Sequence, residues 1–157
     1  MNSTSIKTIQ RTITICVLCL SVFIMSCQKK TQSTSTTSTP KPATYYAAVN
    51  GSQLINFTPS KTSGGSISLI GTSTYYTITL TFPSTTGTGS FFFSDAGFSA
   101  TIANGGINYV ASATTTGTGS IQIDSIVGTK YYGLFSFVGA APSGATLNVS
   151  QGYFSNL

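Results

Sequence analysis

From Tyr45 to the C-terminus, apolar and polar residues alternate in short runs. Between positions 76 and 82, Tyr76, Ile78, Leu80 and Phe82 fall on one side, and Thr77, Thr79 and Thr81 on the other. A strand turns successive side chains to opposite faces, so this alternation predicts a strand with one buried face. The same period recurs around Ile67 and Leu69, Ile121 and Ile123, Phe135 and Phe137, and Leu147 and Val149. β-Branched and aromatic residues dominate these runs, and apolar residues do not repeat at helical spacing without Gly, Ser or Thr intervening. Turn residues separate them: Asn50-Gly51, Gly64-Gly65, Gly71, Asn104-Gly105-Gly106 and Pro142-Ser143-Gly144. Asn50-Gly51 predicts a type I′ hairpin turn, in which both central residues take positive φ. Roughly nine or ten short strands follow, and residues 44–157 are expected to form one antiparallel β-sandwich, with an up-and-down β-barrel as the alternative.

The hexapeptide TTGTGS occurs at residues 85–90 and again at 115–120, each time after one predicted strand and before another. A dinucleotide-binding loop needs a third glycine three residues on, where Phe92 and Gln122 stand, and a P-loop needs a Gly-Lys pair that the chain lacks. Gly87 and Gly117 therefore read as turn or strand-end bulge positions, and the thirty-residue offset suggests two similar hairpin units.

The few charges are unevenly placed. Only 6% of residues are charged, against about a quarter in an average globular protein, and the net charge is +5. Lys7, Arg11, Lys29, Lys30 and Lys41 precede the β region, which holds only Lys61, Lys130, Asp95 and Asp124. That region is neutral, so a basic groove for nucleic acid has no residues to build it.

The first thirty residues read as targeting. Lys7 and Arg11 precede an apolar run over residues 13–25, which has signal-peptide length and is shorter than the roughly 20 residues needed to span a bilayer. The run ends in Ile24-Met25-Ser26-Cys27, which resembles the lipobox of bacterial lipoproteins, although Met25 stands where a small or aliphatic residue is usual. The resemblance implies cleavage after residue 26 and lipidation of Cys27, which would then anchor the protein stably in a membrane. All three cysteines, Cys16, Cys19 and Cys27, lie in or at the end of this segment, so the exported body has no disulfide framework and no thiol nucleophile. Residues 28–43 are rich in Ser, Thr, Pro and Lys and are expected to form a disordered tether.

Candidate chemistry is sparse. No histidine or glutamate is present, so a Ser-His-Asp triad and ordinary metal sites lack their parts, and neither a metal nor a cofactor is expected. Asp95 and Asp124 are the only candidates for the paired carboxylates of a hydrolase, and Asp is a common turn residue. An enzyme is not expected. Tyrosines come in adjacent pairs at 45–46, 75–76 and 131–132, and alternation sends the members of a pair to opposite faces. Tyr45, Tyr75 and Tyr131 are therefore candidate ligand-surface residues, since a tyrosine offers a stacking ring and a hydroxyl.

Gly119, Ile121 and Ile123, then Gly133, Phe135 and Phe137, then Val149, Gly152 and Phe154 form a pattern similar to that of an uncharacterised family of small β-rich Bacteroidota lipoproteins. Ala48-Val49-Asn50-Gly51 and Gly71-Thr72 extend the resemblance over residues 45–157. It implies an extracytoplasmic β domain with no assigned activity, in which the matching glycines and phenylalanines are structural. In that phylum acidic residues after the lipidated cysteine tend to accompany surface export; Gln28, Lys29 and Lys30 stand there instead, which leaves both faces of the outer membrane open. Asp124-Ser125-Ile126 resembles the phylum's short O-glycosylation motif, making Ser125 a candidate acceptor. The leading expectation is a lipid-anchored, non-catalytic envelope protein that binds or packs against a protein partner. A glycan-binding accessory module is the second, and a hydrolase using Asp95 and Asp124 the last.

Overall fold

A computed structural model describes residues 41–157, and the signal segment, Cys27 and most of the tether inferred above lie outside the described residues. Ten strands follow in order: β1 (Thr44–Val49), β2 (Ile55–Ser63), β3 (Ser66–Thr72), β4 (Tyr76–Pro83), β5 (Gly89–Phe92), β6 (Ser99–Asn104), β7 (Ile107–Ser112), β8 (Thr118–Val127), β9 (Lys130–Ala140) and β10 (Thr146–Ser155). All pair antiparallel in a single sheet of order β10-β1-β2-β3-β4-β6-β7-β9-β8-β5. The all-β antiparallel domain expected from the alternation is what forms. Because β9 also pairs with β10, the sheet curls back on itself, sandwich-like around one core and barrel-like in its connection.

Alternation sets the inner face. On β4, Ile78, Leu80 and Phe82 are fully buried, and the threonines between them are half-buried on the other side. Leu69, Ile102, Ile121, Ile123, Phe137, Val149 and Phe154 complete the same cluster from the other strands. Asn50 and Gly51 both take positive φ, and the Ser52 amide donates to the Val49 carbonyl at 3.0 Å, which is the expected type I′ turn. Pairing of β1 with β2 begins only at Ala47 and Ile55, so residues 50–54 stand outside the ladder. Pro59 has no amide hydrogen; it lies on β2 beyond Phe57, the last residue there that pairs with β1, and so leaves no ladder bond unmade on that side.

Curling brings rings over glycines. A Cβ on Gly71 would meet the Tyr45 ring at 2.5 Å, and one on Gly152 would meet the Phe135 ring at 2.5 Å. A Cβ on Gly133 would collide with the Gln122 carbonyl oxygen and meet the Phe154 ring at 2.8 Å. The weakest link of the circuit is between β7 and β9, which pair at Val110 and Ala140 alone. Gly117 is buried there against the backbone of Val110, Ala111 and Val138, and no side chain would fit.

The two TTGTGS copies end on paired strands, each opposite the residues that follow the other. β5 pairs with β8 through Gly89–Ile123 and Phe92–Ser120, and the Phe93 amide donates to the Gly119 carbonyl at 3.0 Å. Shifting by thirty positions turns the Gly89–Ile123 pair into Gly119–Phe93, so the copies are related by a local two-fold axis. Gly89 and Gly119 share an unusual φ of 146° and 148°, the left-handed region open to glycine. Gly87 and Gly117 have diverged: nothing lies within 4 Å of a Cβ at Gly87. Gly117→Ala is therefore expected to lower stability by about 1–3 kcal/mol and the melting temperature by several degrees. Gly87→Ala should stay within about 0.5 kcal/mol of the parent in the same thermal unfolding experiment.

Candidate functional site

Strand direction alternates without exception around the circuit β1-β2-β3-β4-β6-β7-β9-β10. The connections β1–β2, β3–β4, β6–β7 and β9–β10 therefore share one end of the sheet. Residues 41–43 and the C-terminus lie at the other, where Thr44 pairs with Ser155 and the Lys41 carbonyl accepts from Asn156. That lower end is also covered: Lys61 reaches the Thr129 carbonyl with its Nζ 5.4 Å from the centre of the Tyr131 ring, and the Tyr131 amide donates to the Leu157 carbonyl at 2.7 Å.

The tyrosine pairs divide as strand geometry requires, and two of the three candidate ligand residues turn inward. Tyr45 is 1% exposed, packed edge-on to Phe57 and tilted against Phe135 at 5.3 Å. Its hydroxyl has no partner among the described residues, and burial pushes the phenol well above its usual range, so it stays protonated. Tyr131 is also buried, edge-on to Phe82 at 5.4 Å. Tyr45 and Tyr131 are corrected from surface to core: at an inner position of a curled sheet, the apolar body of the ring outweighs its one hydroxyl. Their neighbours face out. Tyr46 stacks on its cross-strand partner Tyr153 at 5.1 Å, and the Tyr132 hydroxyl donates to Asn156 Oδ1 at 3.4 Å. Each outer ring is thus engaged within the sheet.

Tyr75 differs because it sits in a turn. Ser73 closes that turn, its amide donating to the Tyr76 carbonyl at 2.8 Å and its Oγ accepting from the Tyr76 amide at 3.1 Å. Thr74 and Tyr75 are left projecting, and Tyr75 is 76% exposed. Hollows flank it on both sides. One of about 690 Å³ lies toward β2, lined by Ile55, Asn56, Thr58 and Thr72, and a smaller one of about 200 Å³ lies toward Ala103, Asn104 and the Gly105-Gly106 turn. A third, of about 600 Å³, continues from Gly106 past Asn108, Thr115 and Thr116 to Pro142. Together they form a shallow rim groove that follows successive connections at the end opposite residues 41–43. No Lys or Asp lines any of the three hollows.

The remaining candidates are scattered. Asp95 follows β5, whereas Asp124 lies at the far end of the β5–β8 pairing, beyond Ile123. At least four strand residues separate them, about 13 Å, more than the spacing of a glycosidase carboxylate pair. Each has a local role. The Asp95 carboxylate accepts from the Phe92 amide at 2.9 Å while its own amide donates to the Phe92 carbonyl at 3.0 Å, and Asp124 accepts from Gln122 Nε2 at 2.7 Å. Asp95 thereby occupies the Phe92 backbone groups on the outer side of β5, which would otherwise be open to another strand. Ser125 lies half-buried on β8, just past a register shift and opposite Tyr132. Among the described residues no cluster of three or more His, Cys, Asp or Glu could hold a metal, and no helix is long and apolar enough to cross a membrane.

The rim's other members were visible in sequence only as separators, such as Gly105 and Gly106, or as strand positions, such as Asn56, Thr58 and Asn108. Ile107 is half exposed and lines the groove, and nothing in the local pattern of Asn104-Gly105-Gly106 sets that turn apart from other separators. No protein-family model, curated protein or solved structure matches the chain.

Removing the Asp95 carboxylate isolates its edge-covering role. Asp95→Ala is expected to cost about 1 kcal/mol or less in stability and to raise self-association at high concentration in sedimentation velocity, because the Phe92 amide becomes available to a second chain. Asp124→Ala should leave the sedimentation profile unchanged.

Proposed function

We propose that this protein is a membrane-anchored lipoprotein of the bacterial envelope whose β domain is a non-catalytic binding module, holding its partner along the rim groove around Tyr75. The groove is the observation that carries this reading. It combines an exposed ring with three adjoining hollows at the end of the domain away from residues 41–43. An anchor at Cys27, followed by a tether long enough to extend about 50 Å, would leave that rim accessible to a partner. The two aspartates are held apart and occupied by local hydrogen bonds, which favours binding over acid–base chemistry.

The test places a photo-crosslinking amino acid in living cells at position 75, or at Val127, which is 62% exposed next to the β8–β9 turn. Adducts are expected from position 75 and not from 127. Equal adducts from both positions would count against a dedicated rim. In the same cells, Cys27→Ser should raise the mass of the chain by leaving the signal segment uncleaved and the lipid unattached. An unchanged mature mass would remove the anchor from the proposal.

A further inference from the structure

We infer that the rim groove takes an uncharged glycan chain, spanning several sugar units from the Asn56 side of Tyr75 to Pro142. This rests on the binding reading above and names its ligand class. Charge is the first discriminator. The five charged residues of the described region, Lys41, Lys61, Asp95, Asp124 and Lys130, all lie outside the groove lining. An anionic ligand such as a nucleic acid, phosphate or acidic polysaccharide would lose hydration there and find no countercharge.

The lining chemistry is the second. Asn56, Asn104 and Asn108 supply amides, and Thr58, Thr72 and Thr115 supply hydroxyls. Both groups donate and accept, as sugar hydroxyls do, so each can exchange a water for a ligand hydroxyl with little loss. Tyr75 adds an exposed ring between two hollows, able to stack on the apolar face of a pyranose. A protein interface is a poorer fit. Stable ones bury about 800 Å² per partner around an apolar centre, whereas the apolar part of this groove is Ile107 and Val110 beside the small Ala140, Ala141 and Pro142, with Leu54 apart on the β1–β2 connection.

Form is the third discriminator. The hollows are open, and neighbouring ones share lining residues: Ser73 to Tyr76 between the first two, Gly106 between the second and third. A row of that kind suits an extended chain rather than a single enclosed sugar.

The test uses the full mature chain in detergent micelles on an array of neutral and acidic glycans, followed by titration calorimetry with the best-bound neutral oligosaccharide. Saturable binding to at least one neutral glycan is expected, improving with chain length and changing by less than about twofold between roughly 50 and 500 mM salt. Tyr75→Ala should weaken it at least tenfold, while Tyr75→Phe, which keeps the ring, should retain most of it. Tyr75 is so exposed that both variants should melt with the parent, which separates loss of binding from loss of fold. No binding to any neutral glycan, binding confined to acidic glycans and abolished by salt, or binding indifferent to Tyr75→Ala would each overturn the assignment. The two readings fail differently: protein adducts from position 75 with an empty array would keep the rim as a binding surface and discard the glycan, whereas an absence of both would discard the rim.

Discussion

The curled sheet depends on backbone coming close to aromatic rings and to other backbone, and glycine permits this at a few inner positions. Gly71 admits the Tyr45 ring, Gly152 the Phe135 ring and Gly133 the Phe154 ring, while Gly117 lets β7 approach β9 where only one residue pair joins them. Without those gaps the rings would hold the layers apart, and the core could not reach the close packing of a protein interior. The same arrangement accounts for a domain with almost no charge and no cysteine. Its cohesion comes from enclosed aromatic and aliphatic side chains, and on β4 the threonines take the outer face.

Closure also shapes the surface. Bringing β10 and β7 to the same strand, β9, lines up the β3–β4, β6–β7 and β9–β10 connections along one rim, so turns far apart in sequence share one groove. The opposite end is filled by Lys61, Tyr131 and Leu157 and adjoins residues 41–43. One end of the domain is thus filled by side chains and the other left uneven.

Strands and core were largely legible in the sequence, because a period of two assigns each side chain to a face wherever one face is buried. Tyr76 through Phe82, Ile121 with Ile123, and Phe135 with Phe137 all follow it. The tyrosine pairs were legible only as pairs: alternation says that one member turns inward, and the register of the neighbouring strands decides which. That is why Tyr45 and Tyr131 proved to be core and Tyr75, in a turn, did not. Pairing between distant segments was not legible. Gly87 and Gly117 have identical local sequence, yet one stands in the open and the other is wedged between strands. The excursion of β5 to β8, between two strands that pair with each other, likewise leaves no local trace. The rim shares this limit, since each of its turns reads only as a separator until the sheet has closed.

The rim depends on closure through the β7–β9 seam, which amide hydrogen exchange reads at single residues. Backbone groups held in a closed ladder exchange only through rare opening, whereas those at an open edge exchange almost as fast as loops. Slow exchange is expected around Val110 and Ala140, comparable with the centre of β4, and fast exchange at residues 73–75 and 105–106. Seam amides exchanging as fast as those turns would mean that the sheet is open between β7 and β9 and that the groove is not a fixed feature of the protein.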